Sequence, residues 1–278
     1  MNILQKLNPG KHDFEFYYPK CRDKNIPVYR CKNTGAIALQ TTSSTTSYSE
    51  IEDFSYWSTS DRAEAIKKCL RDDKRRQNYI REYNPSLWLD VGSGAGGIFQ
   101  DMPEEIVGES VEPQPHCRKH MPVACYQSCE DIDSGKMYDL ITSFHVVEHL
   151  DDPLATLKQM KQHLKEGGKC IVEVPHAKDF LLEHLDSNAF RDFTLWSQHL
   201  ILHTEETLIW LLEQAGFKIL KLEYIQRYPL SNHLYWLRHE KPGGHEVWDI
   251  LDDHLLNSAY EKKLKDLKMT DTLLVYAE

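Results

Sequence analysis

The chain has 278 residues, with 43 acidic against 33 basic side chains and a net charge of −10 when histidines are neutral. That surplus excludes broad electrostatic binding to nucleic acid or to an anionic membrane surface, leaving only a local basic groove open, and no nucleic-acid partner is expected. The length suits one elaborated α/β domain with a sizeable core; no stretch approaches the roughly 20 apolar residues of a membrane span and the first residues lack a signal-peptide core, so a cytoplasmic protein is expected.

Residues 1 to about 50 read as an N-terminal extension of mixed strand and loop that closes in the polar run 41–49, a linker by composition. The seven cysteines are odd in number and scattered, which fits reduced thiols better than a disulfide framework. Cys21 and Cys31 have the layout of a ribbon zinc module stripped of half its ligands. With no C-x-x-C and two donors short of four, a metal-free remnant is the expected state. A helix then opens at Ser60-Asp61 and runs to about Tyr83, where Asn84-Pro85 stops it.

The apolar run Leu87-Trp88-Leu89 passes through Asp90 and Val91 into Gly92-Ser93-Gly94-Ala95-Gly96-Gly97. It reads as a strand covered on both faces that delivers the chain to a nucleotide, its glycines allowing positive φ and close ligand approach where a helix begins. Gly92, Gly94 and Gly97 also fit the dinucleotide spacing G-x-G-x-x-G, so a nicotinamide-dependent oxidoreductase is the competing reading. Asp90 favours a different ligand. A carboxylate at this strand end repels a pyrophosphate but can hydrogen-bond the ammonium of a methionine moiety, which points to S-adenosylmethionine.

Further strands are expected at 106–111, 123–126, 138–143 and 169–174. A crossover helix is expected from Asp151-Asp152-Pro153 to Glu166-Gly167-Gly168, and another from Thr204 to Gly216 with Leu208, Leu211 and Leu212 on its core face. A strand near 217–225, an aromatic and histidine-rich insertion, a helix from about Glu246 to Leu267 and a strand at 271–276 complete the chain. Such alternation predicts a parallel sheet. Glu112 lies 20 positions after Gly92 at the end of the second strand, where a carboxylate can accept both hydrogen bonds of a ribose diol, a device that NAD enzymes share. The third strand ends in the segment 126–131, where an adenine would receive polar contacts.

The segment Asp139-Leu140-Ile141-Thr142-Ser143-Phe144-His145-Val146-Val147-Glu148-His149 completes a pattern of four ordered motifs. With them the chain resembles the class I S-adenosylmethionine-dependent methyltransferases over roughly residues 75 to 225 and the last strand. The resemblance implies a Rossmann-like, seven-stranded, mostly parallel sheet with an antiparallel last strand. It divides the chain into the extension (1–50) and a methyltransferase domain (51–278) carrying an acceptor-side insertion at about 227–270. It further implies that Asp90, Gly92 and Gly94 hold the amino-acid end of the cofactor and Glu112 the ribose. Ser128, Cys129 and Glu130 would hold the adenine, Ser128 departing from the Asp of many relatives, with Phe144 on the near side and Arg76 on the methionine carboxylate. Segments 193–200, 226–233 and 241–245 are similar to methyltransferases associated with bacterial surface-polysaccharide gene clusters.

Methyl transfer from a sulfonium is an in-line displacement, so a protein has to align the acceptor and remove its proton. His145, His149 and His176 follow the fourth and fifth strands and are the candidate bases. The pattern His145-x-x-Glu148-His149 with a distant His199 is also similar to the Glu-x-x-Glu-His plus His cation site of plant small-RNA 2′-O-methyltransferases. It would supply three imidazoles and a carboxylate, a set suited to zinc or manganese, although relatives with a V-x-E-H turn and no metal make a bracing role the favoured one. Tyr228, Asn232 and His233 of the insertion are candidate acceptor contacts, or the insertion is a helical lid with Leu234, Tyr235 and Trp236 packed on the sheet. The favoured reaction is O-methylation of a sugar hydroxyl in polysaccharide biosynthesis, with a quinone precursor or other small metabolite as the alternative acceptor. A catalytically silent nucleoside-binding protein is the non-enzyme alternative.

Overall fold

Apolar runs that alternate with amphipathic helices build a seven-stranded sheet in the computed structural model, which describes residues 2–7, 13–43 and 53–278. Positions 44–49 of the expected linker lie outside the described residues. After a short helix α1 (Ile3–Leu7), strands β1 (Phe14–Tyr18), β2 (Val28–Cys31) and β3 (Ile37–Leu39) form an antiparallel meander. Helix α2 (Arg62–Tyr83) starts where the Asp61 side chain accepts from Glu64 N and stops at Asn84, in the left-handed region before Pro85. There follow β4 (Leu87–Val91), β5 (Val107–Val111), α3 (Pro115–Lys119), β6 (Ala124–Tyr126), β7 (Tyr138–Phe144), α4 (Pro153–Gln162) and β8 (Leu164–Pro175). The remainder is α5 (Phe180–Glu183), α6 (Asn188–Thr194), β9 (Ile201–Leu202), α7 (Glu205–Gln214), β10 (Ile219–Ile225), α8 (Leu230–His239), α9 (Gly244–Val247), α10 (His254–Leu267) and β11 (Thr272–Ala277).

The large sheet has the order β10-β11-β8-β7-β4-β5-β6, with β11 antiparallel to both of its neighbours and the other pairings parallel. Its core strands are apolar on both faces because helices cover both, Leu89, Ile141 and Val172 packing on one side and Trp88, Leu140 and Ile171 on the other. Among the described residues no helix is long and apolar enough to cross a membrane.

Three expectations are corrected. The glycine loop opens no α-helix: a single 3-10 turn, Gly97–Phe99, follows it, and Gln77 of α2 ties that turn down by donating to Ile98 O and Gln100 O. Helix α4 ends four residues before Glu166 because Tyr138 N draws His163 O to the edge of β7, so Gly167 and Gly168 belong to β8. The helix expected from Glu246 to Leu267 is broken into α9, a 3-10 turn at Asp249–Leu251 and α10, because the Asp253 carboxylate caps a new start at Leu255 and Leu256.

The N-terminal strands do not stand alone. Strand β9 pairs with β3 to make a four-stranded sheet, and its apolar face shares a cluster with Leu181, Leu182, Phe190 and Trp236. Cys21 and Cys31 are buried inside that cluster, and none of the seven cysteines forms a disulfide.

Candidate active site

Strands β4, β5 and β7 end side by side, and the segments that follow them line a cleft of about 860 Å³ together with one face of α2. Gly92 leaves β4 at φ 83°, and a Cβ there would stand 2.3 Å from Val146 Cγ2 in the turn after β7; Gly94, at φ 54°, lies under the Trp57 indole. Side chains are excluded at both positions by conformation and by space. Glu112 closes the far wall. Its Oε2 accepts from Gly94 N at 2.7 Å and its Oε1 from Gln114 N at 2.9 Å, which fixes the carboxylate and leaves a second lone pair on each oxygen for a ribose diol. Burial pushes this carboxyl up to about 7.

Asp90 is placed differently from its expected role. It is buried behind the loop and does not line the cleft, its Oδ1 accepting from Thr142 Oγ1 at 2.6 Å, and burial raises it to about 6. Besides Glu112, an acid that lines the cleft near the loop is Asp73 of α2, likewise raised by burial to about 6. Its signal in the sequence is the Asp73/Arg76 pair at i, i+3 on one helix face, where Arg76 Nη1 stands 3.6 Å from Asp73 Oδ1.

Arg76 lines the cleft as expected and lies 5.1 Å from the centroid of the Phe144 ring. Its Nη2 and Nε nevertheless donate to Glu173 Oε1 at 2.7 and 3.0 Å, and Arg75 reaches both oxygens of the same carboxylate. Burial works to raise Glu173, but Arg76, His145 and Arg75 outweigh it and hold the carboxyl well below its ordinary range. Ser128, Cys129 and Glu130 are not in the cleft. A capping box between Ser128 and Asp131 turns the chain, Cys129 enters the core, and Glu130 accepts from Gln159.

At the inner end of the cleft Phe144 ends β7 and His145 takes φ 55°. That backbone costs energy for a residue other than glycine and turns the imidazole between two carboxylates. His145 Nδ1 is 3.3 Å from Glu148 Oε1, and Nε2 is 3.3 Å from Glu173 Oε1 without the alignment of a hydrogen bond. The 3-10 turn Val147–His149 brings Glu148 and His149 inward, and His149 Nδ1 meets Gln198 O at 2.9 Å. The His199 ring centre is 4.8 Å from that of His149. Burial lowers His149 and His199, the latter to about 3, and works to raise Glu148, which the three imidazoles nonetheless hold below its ordinary range. His176 is elsewhere. Its backbone bonds to Asp271 and its Nδ1 faces Thr270 O at 3.0 Å; it does not line the cleft, but it is among the residues that line the second cavity beside it.

A second cavity of about 310 Å³ adjoins the cleft, and His145, Phe193, His199, Arg227 and Tyr228 line both. Of the expected acceptor contacts, Tyr228 stands at this seam while Asn232 and His233 line the second cavity. His233 is also a packing residue, with Nδ1 2.6 Å from Tyr260 Oη and its ring stacked on Phe180. Tyr235 and Trp236 are buried as the lid reading requires, whereas Leu234 is exposed.

A cleft at the strand ends, closed by a glycine loop and a buried acid on a sheet whose last strand runs antiparallel, is the arrangement of the class I S-adenosylmethionine-dependent methyltransferase fold. The family profile described as "Methyltransferase domain" matches residues 60–222, and the chain belongs to that family. A S-adenosylmethionine-dependent methyltransferase from Archaeoglobus fulgidus has the same fold, with a TM-score of 0.52 at 18% identity over 74% of this chain and 93% of that one. Among curated proteins, a ubiquinone biosynthesis O-methyltransferase of Ruegeria sp. (strain TM1040) is 29% identical over 46% of this chain and 58% of its own length. One from Cereibacter sphaeroides (strain ATCC 17029 / ATH 2.4.9) is 32% identical over 30% of this chain and 38% of its own. The chain thus matches less than two thirds of either relative's length.

Gly92→Ala tests the placement of the cofactor. The new Cβ forces the loop and the Val146 turn apart, so stability should fall by about 1–3 kcal/mol and S-adenosylhomocysteine binding should be lost in calorimetry. Normal affinity in that variant would place the cofactor away from this loop.

Proposed function

We propose that the protein O-methylates a small hydroxylated metabolite held at the seam between the cleft and the second cavity. The observation that carries this reading is the set of five residues common to both spaces, which joins the cofactor's position to a chamber the size of one small ring. The printed names of the relatives support a quinone precursor or similar acceptor. They lend nothing to a sugar hydroxyl in polysaccharide biosynthesis, and nucleic acid suits neither the chamber nor the charge of −10.

Bound S-adenosylmethionine supplies an electrophilic methyl group on a sulfonium. The chain's part is to hold the acceptor in line and take its proton. Tyr228 and Phe193 offer aromatic faces against a flat acceptor, and the Arg227 guanidinium is kept rigid by Asp271 at 3.0 Å and Asp72 at 3.6 Å. His145 takes the hydroxyl proton at a ring nitrogen as the new C–O bond forms and the C–S bond breaks. Glu148 and Glu173 on either side of the ring stabilise the imidazolium that results.

The test is methyl transfer to a panel of monocyclic phenols, catechols, sugars and amines, read by mass spectrometry. An O-methyl product from a hydroxylated ring is expected; turnover confined to sugars or amines would overturn the reading. Tyr228→Ala should raise the acceptor KM by roughly 10-fold, about 1.4 kcal/mol of lost contact, with S-adenosylhomocysteine affinity unchanged. An unaltered KM would remove Tyr228 from the acceptor wall.

A further inference from the structure

We propose that Glu148, His149 and His199 bind a divalent transition-metal cation beside the seam; the proposal deepens the O-methyltransferase reading and rests on it for the cation's role. One ligand atom from each residue can be chosen so that all three lie within 4.8 Å of one another, and no other such group of three occurs among the described residues.

The decisive feature is Glu148. Its side chain is 0% exposed, yet neither carboxylate oxygen accepts a hydrogen bond. His145 Nδ1 at 3.3 Å and His149 Nε2 at 3.8 Å are the nearest nitrogens of its ion-pair partners. A buried carboxylate left in that state is costly, and native proteins pair such groups or use them to coordinate metals. The Nδ1 of His199 is likewise buried without a partner.

The surrounding contacts are those that prepare ligands. His149 Nδ1 is engaged by the Gln198 carbonyl, so Nδ1 carries the proton in the neutral ring and the Nε2 lone pair is on the Glu148 side. Leu200 N donates to Glu148 O at 2.8 Å, and His199 N to Trp196 O at 2.9 Å, which fastens the segment bearing His199 to the Val147–His149 turn. Donors 50 positions apart in sequence are thereby held together before any ligand arrives.

The donor set decides the class of cation. Two imidazoles and one carboxylate suit zinc, manganese or iron(II), whereas magnesium and calcium favour oxygen ligands. Three protein ligands leave positions for the acceptor. His149 and His199 line the cofactor cleft and His199 also lines the second cavity, so a hydroxyl oxygen at the seam is within the reach of this wall. There the cation orients the acceptor and lowers the proton affinity of its hydroxyl, leaving His145, outside the triad, to receive the proton.

The experiment uses the full chain, purified without a histidine tag, stripped with chelator and titrated calorimetrically with manganese and with zinc chloride. One cation per chain is expected, with affinity at least about 100-fold weaker in Glu148→Gln and in His199→Ala and little competition from millimolar magnesium. Because a variant can fail to fold, each is titrated in parallel with S-adenosylhomocysteine. X-ray absorption of the zinc-loaded wild type gives a second readout, in which two imidazoles and carboxylate oxygen are expected. Absence of a bound cation, equal affinity in folded variants, equal binding of magnesium, or a sulfur ligand at the zinc would each overturn the proposal. Those results leave S-adenosylhomocysteine binding and the acceptor panel untouched, whereas failure of the panel with cation binding intact would overturn the acceptor reading alone.

Discussion

Glu173→Gln should lower the stability of the protein by about 3–5 kcal/mol, the largest effect expected of any single neutralisation here. Its carboxylate is fully buried on β8 and bonded by Arg75 and Arg76 at once, so the amide leaves two guanidinium groups short of their counter-charge. For a chain of this size the loss corresponds to roughly 6–20 °C in Tm. The pH dependence follows from the direction of the shift. Glu173 is held well below its ordinary value of 4.5 in the folded state, so the stability it contributes is fully present above that value and is lost as pH falls toward the folded pKa. The gap between wild type and Glu173→Gln, measured by denaturant unfolding, is therefore expected to be constant above about pH 5 and to close progressively below about pH 4. A gap independent of pH down to about pH 3 would mean that the folded protein does not hold this carboxyl below its unfolded pKa.

That network marks the limit of what could be read from sequence. Local patterns carried the sheet: the apolar runs at β4, β7 and β8, the Asp61 cap, the glycine loop and Glu112 all announce themselves within a few residues. Glu173 and Arg75 are 98 positions apart, and the available sign was an acid amid the apolar residues of Cys170-Ile171-Val172-Glu173-Val174. The surroundings of Asp90 were not legible for another reason: a strand-end acid can face the cleft or the neighbouring strand, and its partner Thr142 lies on β7, 52 positions away. Ser128 to Glu130 carried a legible warning, since Ser128 and Asp131 have the spacing of a capping box that turns the chain away from the ligand edge. The short elements α5, α6 and β9 have too few residues for periodicity to register; their formation depends on the cluster they share with the N-terminal sheet.

His145→Asn should reduce kcat by about 10²- to 10⁴-fold while leaving S-adenosylhomocysteine affinity near the wild-type value. Asparagine is chosen because position 145 sits at φ 55°, a conformation that asparagine tolerates better than most side chains, so the backbone turn after β7 is preserved. The substitution removes the imidazole but keeps a polar group between Glu148 and Glu173. His145→Gly should then separate the backbone from the side chain: it accommodates φ 55° without a Cβ and should fold at least as readily at this turn, yet be as slow as the asparagine variant. If instead the two variants differ in rate in proportion to their stability, the imidazole acts through packing. A rate within about threefold of wild type in a folded His145→Asn enzyme would exclude His145 as the acceptor of the proton, because a positioned general base is worth at least about 100-fold.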